Sequence, residues 1–258
     1  MKKDYTHIVA ILDRSGSMEL IRRDTIGGFN TFIEEQKKVP GEATITLVQF
    51  SDTCETTYLD VPLAHVAHLT EDTYHPSGWT ALNDAFAKTI EEVGARLASK
   101  PEHERPSKVV VLVMTDGAEN KSIKYAGRHG LKKLADMIGH QRDKYSWSFS
   151  FIGANIDAFA TGAQYNIDNA NIINYSATSI GATNAFKSIS KGTAGARLSS
   201  MYDTKMDSFF ENEKNRSIIP DLNLDTTSIE DVIAKYTPDT ATTQAAAPIT
   251  KTDTATND

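Results

Sequence analysis

Two short apolar runs, each ending in an aspartate, constrain the fold of this chain more than any other feature. The first, His7 to Leu12, leads into Asp13, and the second, Val109 to Thr115, leads into Asp116. Apolar runs of this length are typical of strands that are buried on both faces, as in a parallel sheet covered by helices. Because ligands of such sheets bind beyond the carboxyl ends of the strands, the two carboxylates are predicted to lie at a binding site.

Strand and helix patterns alternate through the first 200 residues. Strands are predicted over residues 7–12, 43–50, 54–61, 108–115, 147–152 and 171–174, and helices over residues 19–37, 80–98, 129–143, 157–165 and 179–191. A short turn joins the strands at 43–50 and 54–61, which predicts one antiparallel edge strand. We therefore predict an α/β fold with a doubly wound, mostly parallel sheet and helices on both faces.

The alternation stops near residue 200. We predict one domain over residues 1–200, an extension over 201–237 and a disordered, acidic tail over 238–258. Thr227-Ser228-Ile229-Glu230 has the spacing of a capping box, which predicts a short helix ending at Tyr236. The tail is rich in Thr and Ala and has Ile249 as its only large apolar residue, so it cannot bury enough surface to offset the entropy of ordering it.

Charge and composition exclude several classes of function. The net charge is −7, and the residues from 203 onward contain eleven acidic and five basic side chains, so residues 1–202 are nearly neutral and lack the basic surface of a nucleic-acid-binding protein. No apolar run approaches a membrane span, and the N-terminus enters a strand without the apolar stretch of a signal peptide. Cys54 is the only cysteine, which favours a reducing compartment. We expect a cytoplasmic protein that binds neither nucleic acid nor membrane; its oligomeric state stays open.

Hydroxyl groups accompany the two carboxylates. Ser15 and Ser17 follow Asp13 at alternating positions, and Thr80 is predicted to begin a helix and to cap it. Carboxylate, hydroxyl and water oxygens are the ligands of hard cations, and Mg²⁺ requires an octahedron of them while retaining waters. Five protein oxygens, some acting through water, would leave one position of this octahedron open. The predicted metal ligands are Asp13, Ser15, Ser17, Thr80 and Asp116. Taken singly, Asp-x-Ser-x-Ser is also typical of a helix N-cap and Asp116-Gly117 of an ordinary turn.

The three segments resemble the metal-ion-dependent adhesion site of von Willebrand factor A (VWA) domains. The matching stretches are Asp13-x-Ser15-x-Ser17, Gly78-Trp79-Thr80-Ala81-Leu82 and Thr115-Asp116-Gly117, and the resemblance covers roughly residues 5–195. It implies a Rossmann-like fold, a Mg²⁺ or Mn²⁺ ion, and a partner protein whose Asp or Glu completes the coordination. It also implies that the C-terminal helix, here 179–191, shifts as the site changes state. Within the superfamily the chain is similar to small intracellular prokaryotic and bacteriophage members, whose genes often accompany stress or tellurite-resistance loci.

These observations favour a non-catalytic, metal-dependent protein-binding module with a regulatory or assembly role in the cytoplasm of a bacterium or phage-infected cell. The main alternative is a metal-assisted phosphohydrolase that uses Asp13. Such an enzyme needs a second acid two residues later, where this chain has Ser15, and a lysine near the later strand, for which Lys121 is only a loose candidate. The nucleophile elbow of serine hydrolases and the phosphate-binding G-x-x-x-x-G-K-[ST] motif are absent. A structural role in a virion or other assembly is a third option.

Residues next to the three segments have two interpretations each. Trp79 either anchors a partner at the rim of the site or packs across its own loop. Glu19, Glu119 and Asn120 either support the metal ligands or are solvated loop residues.

Two further motifs lie away from the predicted site. His65-x-x-His68 has a spacing that occurs in metal sites, but no third soft ligand is close in sequence. Phe209-Phe210 either docks a partner or covers part of the domain surface.

Overall fold

The structure is a computed structural model that describes residues 1–204, 208–210 and 227–237. The predicted tail at 238–258 and much of the predicted extension lie outside the described residues. Within the described part of the chain, no helix is long and apolar enough to cross a membrane.

Six strands of the described residues form one sheet, with the order β3-β2-β1-β4-β5-β6. The strands are β1 (Lys2–Asp13), β2 (Glu42–Phe50), β3 (Cys54–Pro62), β4 (Pro106–Thr115), β5 (Ser148–Gly153) and β6 (Ile172–Asn174). The edge strand β3 is antiparallel to β2, and all other neighbours are parallel. The predicted α/β fold with one antiparallel edge strand is therefore confirmed.

Helices cover both faces of this sheet. They are α1 (Arg22–Lys38), α2 (Leu82–Ser99), α3 (Gly127–Tyr145), α4 (Ala158–Gln164), α5 (Ser179–Tyr202) and α6 (Ile229–Tyr236). Because side chains alternate along a strand, Ile8 and Leu12 of β1 join the core under α1 and α5, whereas Val9 and Ile11 join the core under α2, α3 and α4. The central strands are thus buried on both sides, as their apolar runs predict.

The chain order places a topological switch between β1 and β4. The chain moves outward from β1 through β2 to β3, then returns to the other side of β1 and continues outward through β4 and β5 to β6. At such a switch, the loops beyond the two strands diverge and leave a crevice. Asp13 ends β1 and Asp116 follows β4, so both predicted carboxylates lie at this crevice.

Several helix ends differ from the predicted ones. The chain after β1 forms a 3₁₀ turn over Gly16–Ile21 before α1 begins, and α5 runs to Tyr202 rather than to residue 191. The predicted cap of α2 is wrong: Ala81 precedes the helix, and Oε2 of Glu119 accepts a hydrogen bond from the Asn83 amide at 2.8 Å. The cause is tertiary, since a loop distant in sequence provides the acceptor.

The short helix in the extension is confirmed, with a different cap. Ser228 rather than Thr227 is the N-cap of α6, and Asp231 rather than Glu230 completes the capping box. The Phe209-Phe210 pair is buried, with its two rings in an edge-to-face contact at 4.9 Å, and Phe209 packs against Gly192 of α5. The interpretation that this pair covers the domain is therefore confirmed.

Candidate metal centre

The loop after β1 folds tightly around the Asp13 carboxylate. Oδ1 of Asp13 accepts a hydrogen bond from the Ser15 amide at 2.6 Å, and Oδ2 accepts one from the Thr115 hydroxyl at 2.5 Å. The phenol of Tyr74 donates to the main-chain oxygen of Asp13 at 2.6 Å. Asp13 is fully buried, and these three bonds fix both its backbone and its carboxylate.

Asp116 meets the same loop from the neighbouring strand. The Ser17 hydroxyl donates to Oδ1 of Asp116 at 2.6 Å, and the hydroxyl oxygens of Ser15 and Ser17 are 3.2 Å apart. The side-chain amide of Asn155 donates to the main-chain oxygen of Asp116 at 3.2 Å. The structure therefore brings four of the five predicted ligands into one hydrogen-bonded group.

Thr80 lies on the third side of this group. A Cβ atom built on Gly117 would lie 3.6 Å from Oγ1 of Thr80 and 3.7 Å from Oγ of Ser17, so the glycine leaves room between the two hydroxyls. Two backbone hydrogen bonds join the segment before Thr80 to the first loop: Gly16 donates to Gly78 at 3.0 Å and Ser77 donates to Arg14 at 2.8 Å. All five predicted residues therefore face one place at the carboxyl end of the sheet.

The pKa values of both carboxyl groups are raised, which favours their neutral form. Burial, with a smaller contribution from the negative charge of Asp116, raises the pKa of Asp13 to about 6 despite the hydrogen bonds from Thr115 and Ser15. Burial also raises the pKa of Asp116, opposed by the hydrogen bond from Ser17. Among the described residues, no Lys, Arg or His side chain pairs with either carboxylate.

These residues fit a hard divalent cation. Buried carboxylates are normally paired with a cation or bound to a metal, and this pair has no protein cation within the described part of the chain. All the side-chain atoms that could coordinate an ion here are oxygens, which Mg²⁺ and Mn²⁺ prefer. No cluster of three His, Cys, Asp or Glu side chains that could hold a metal ion occurs among the described residues. In particular, His68 bonds to Glu34 at 2.8 Å, and the predicted His65/His68 spacing gives no such cluster.

The residues beside the ligands separate into two groups. Glu119 and Asn120 form hydrogen bonds to the start of α2 and to Thr80, so they support the site. Glu19 instead lies on the surface and pairs with Arg22 at 3.7 Å. Trp79 is 61% exposed, which does not fit a side chain packed across its own loop and leaves the indole open to solvent.

Several supporting residues carry no sequence signal. Tyr74 and Asn155 bond main-chain oxygens of the two aspartates, and Asp52 accepts a hydrogen bond from the Trp79 amide. Gly78 has φ +78°, and a Cβ there would lie 2.9 Å from Asp52. The sequence marks Gly78 and Trp79 as part of the second matching segment, but it does not mark their partner Asp52, which follows a different strand.

Comparison with solved structures identifies the fold. The vWF domain of the type V pili tip protein Mfa5 from Porphyromonas gingivalis superposes with a TM-score of 0.53 at 10% identity, over 73% of this chain and 94% of that one. The chain has the von Willebrand factor A fold. No family model matches the sequence, and the search of curated proteins found no match.

Two longer proteins match about three quarters of this chain with lower TM-scores. A von Willebrand factor type A protein from Catenulispora acidiphila gives a TM-score of 0.48 at 16% identity, over 77% of this chain and 43% of that one. Proximal thread matrix protein 1 from the mussel byssus, in a structure with a zinc-occupied MIDAS motif, gives 0.48 at 14% identity, over 74% of this chain and 46% of that one. This chain spans less than half the length of either protein.

Proposed function

We propose that this VWA domain is a non-catalytic, metal-dependent protein-binding module. Asp13, Ser15, Ser17, Thr80 and Asp116 would hold a Mg²⁺ or Mn²⁺ ion, and an Asp or Glu of a partner protein would complete its coordination. The observation that carries the proposal is a pair of buried aspartates that no cationic side chain of the described residues neutralises, with three hydroxyl groups beside them.

The chain's own residues orient and shield the ligands. Asp13 is held by the Ser15 amide and the Thr115 hydroxyl, and Ser17 is directed at Asp116, so little rearrangement is needed to present oxygens to an ion. When bound, the ion supplies a positive centre that attracts an incoming carboxylate. The exposed indole of Trp79 lies beside Thr80, where it would contact the partner around that carboxylate.

The cellular setting is part of the proposal. A lone, half-buried Cys54 is compatible with a reducing cytoplasm, and we propose a regulatory or assembly role in a bacterium or phage-infected cell. No observation favours the phosphohydrolase alternative. Its second acid is replaced by Ser15, whose hydroxyl lies beside that of Ser17, and the exposed Lys121 uses its amide to bond Glu119.

Calorimetry with Mn²⁺ tests the metal site directly. We expect one ion per chain, and we expect Asp13→Asn and Asp116→Asn to abolish uptake while the far-ultraviolet circular dichroism stays unchanged. Asp72→Asn is the matched control, because it makes the same change at an exposed acid outside the predicted ligand set and should leave uptake intact. Absence of uptake by the wild-type chain would overturn the proposal.

A second experiment tests partner binding. Proteins cross-linked to the wild-type chain in Mg²⁺ should be lost in chelator and with Asp116→Asn, and retained with Asp72→Asn. Hydrolysis of p-nitrophenyl phosphate that depends on metal and on Asp13 would instead support the phosphohydrolase.

A further inference from the structure

We propose that Asn120 is a positioning residue that holds Thr80 in place as a metal ligand; this inference rests on the proposed metal site. The side-chain oxygen of Asn120 accepts a hydrogen bond from the Thr80 amide at 2.9 Å, and the Asn120 amide donates to the Thr80 carbonyl at 3.0 Å. One residue therefore satisfies both main-chain groups of Thr80.

These two bonds restrain a residue that no regular element holds. Thr80 precedes α2, so its amide and carbonyl are outside the hydrogen bonds of the helix. On either side of it, the Trp79 amide donates to Asp52 and the Ala81 amide donates to Ser51 at 2.9 Å. Asn120 adds a restraint of the same kind at Thr80, whose amide and carbonyl both bond to it.

Asn120 can serve as an anchor because its own loop is fixed to α2. Glu119 accepts hydrogen bonds from the amides of Asn83 and Ser122, at 2.8 and 2.7 Å. Asp84, in the first turn of α2, accepts from the amides of Ile123 and Tyr125, each at 2.7 Å. The loop after β4 and the start of α2 therefore cap each other, and Asn120 lies within this interlocked region.

The same loop connects two parts of the site. It begins at Asp116 and Gly117, and three residues later it holds Thr80 through Asn120. The distance between the Thr80 hydroxyl and the Asp116 carboxylate is thus set by one short stretch of chain. Groups that orient a metal ligand in this way typically change metal affinity by about 10- to 100-fold when removed.

A double-mutant cycle with Mn²⁺ tests whether Asn120 acts through Thr80. We expect Asn120→Ala to weaken Mn²⁺ binding roughly tenfold, and we expect Thr80→Ala to weaken it as well. In the Thr80→Ala background, Asn120→Ala should have almost no further effect, because the residue it positions is gone. Independent, additive losses would overturn the inference, as would unchanged affinity in the single variant.

Ser122→Ala is the matched control within the loop. Its hydroxyl accepts a hydrogen bond from the Asp84 amide at 3.0 Å and donates one to Oε2 of Glu119 at 2.7 Å, so it stabilises the loop through bonds that do not involve Thr80. We expect its Mn²⁺ affinity to stay within about twofold of the wild type. An equal loss in Ser122→Ala and Asn120→Ala would mean that general loosening of the loop explains the effect, and the inference would fail.

Hydrogen exchange of the metal-free protein, followed by nuclear magnetic resonance, separates this inference from the proposed function. The Thr80 amide should exchange at least tenfold faster in Asn120→Ala than in wild type, and Asn120→Asp, which keeps the acceptor oxygen, should restore its protection. Unchanged Thr80 exchange in Asn120→Ala would overturn the positioning role. If wild type takes up no Mn²⁺ but the exchange result holds, the metal function is wrong and the restraint of Thr80 stands.

Discussion

The negative charge of Asp13 destabilises the folded protein when no metal is bound. Its pKa in the folded protein, about 6, lies above the ordinary aspartate value of 3.8, so the stabilisation present at low pH is lost as the pH rises through 6. At pH 7 the buried carboxylate therefore opposes folding unless a cation neutralises it. A residue selected for stability alone would not be ionised at this position.

Asp13→Asn should therefore stabilise the protein in chelator while abolishing metal uptake. The amide can still accept from Ser15 and can donate to the Thr115 hydroxyl, so the expected gain at pH 7 is on the order of 1–3 kcal/mol. Urea unfolding in chelator measures it. Asp72→Asn should show no such gain, and a less stable Asp13→Asn protein would contradict the argument.

His7 makes the stability of the fold depend on pH in the direction opposite to that of Asp13. The ring is fully buried, and Arg96 places a guanidinium nitrogen, which can only donate, 3.2 Å from Nε2, so the ring is neutral with its proton on Nδ1 facing Thr44. Burial lowers the pKa of His7, against the pull of Asp60 and with the help of Arg96 and Lys100. Stability is then present above pH 6.5 and lost as the pH falls through 6.5.

The pH dependence of unfolding should show this residue directly. Relative to His7→Gln, the wild type should lose up to about 1.4 kcal/mol for each pH unit below 6.5. The difference between the two proteins, measured in urea at pH 7.5, 6.5 and 5.5, isolates His7 from Asp13. A difference between the two proteins that does not change with pH would contradict the argument.

At the scale of elements, α1 and α5 pack closely enough to depend on one glycine. A Cβ built on Gly28 would lie 2.2 Å from the ring of Phe186 in α5, whereas a Cβ on the adjacent Gly27 meets nothing within 4 Å. Both residues lie inside α1. Alanine substitutions at these two glycines therefore measure helix propensity and helix packing separately.

Gly28→Ala should destabilise the protein by about 1–3 kcal/mol, because the methyl group overpacks the contact with Phe186. Gly27→Ala should stabilise it by about 0.5–1 kcal/mol, since alanine loses less backbone entropy in a helix. Thermal unfolding of the two variants checks the opposite signs. If both variants gained stability, the close approach of the two helices would be wrong.

The sequence predicts the positions of these elements better than their ends. Periodic apolar positions identify α2 and the buried run identifies β4, because burial repeats along each element. The start of α2 depends on Glu119, and the extra length of α5 depends on Ala194 and Leu198 packing against other elements. Such contacts join residues far apart in the chain, so local patterns do not encode them.

The residues of the candidate site are likewise only partly predictable from the sequence. Asp13 and Asp116 could be predicted to lie together because the carboxyl ends of neighbouring parallel strands meet at one edge. Tyr74 and Asp52 could not, since each acts on a main-chain group that only the folded arrangement brings near. A motif describes the atoms that would touch the ion, and the restraints on those atoms come from the whole fold.

For the whole molecule, the predicted domain boundary near residue 200 separates two parts that pack together. Ile229, Val232 and Tyr236 of α6 form a buried cluster with Val39, Ala194 and Leu198. This cluster lies at the last turn of α1, a helix of 17 residues and therefore about 25 Å from the metal loop at its other end. Loss of α6 should affect stability without affecting the metal centre.

Truncation tests this division. A chain ending at Thr237 should keep the wild-type melting temperature, because the removed segment offers only Ile249 as a large apolar side chain. A chain ending at Asp203 should lose at least about 2 kcal/mol, since the Phe209-Phe210 pair and three apolar side chains of α6 no longer cover the core. Both chains should bind Mn²⁺ like the wild type below their melting temperatures. Within the full chain, Val232→Asp should reproduce the loss, whereas Glu230→Gln, which alters an exposed pair with Lys38, should leave the stability close to that of the wild type. Weaker Mn²⁺ binding by the folded shorter chain would show that α6 is coupled to the metal centre and is more than a cover for the core.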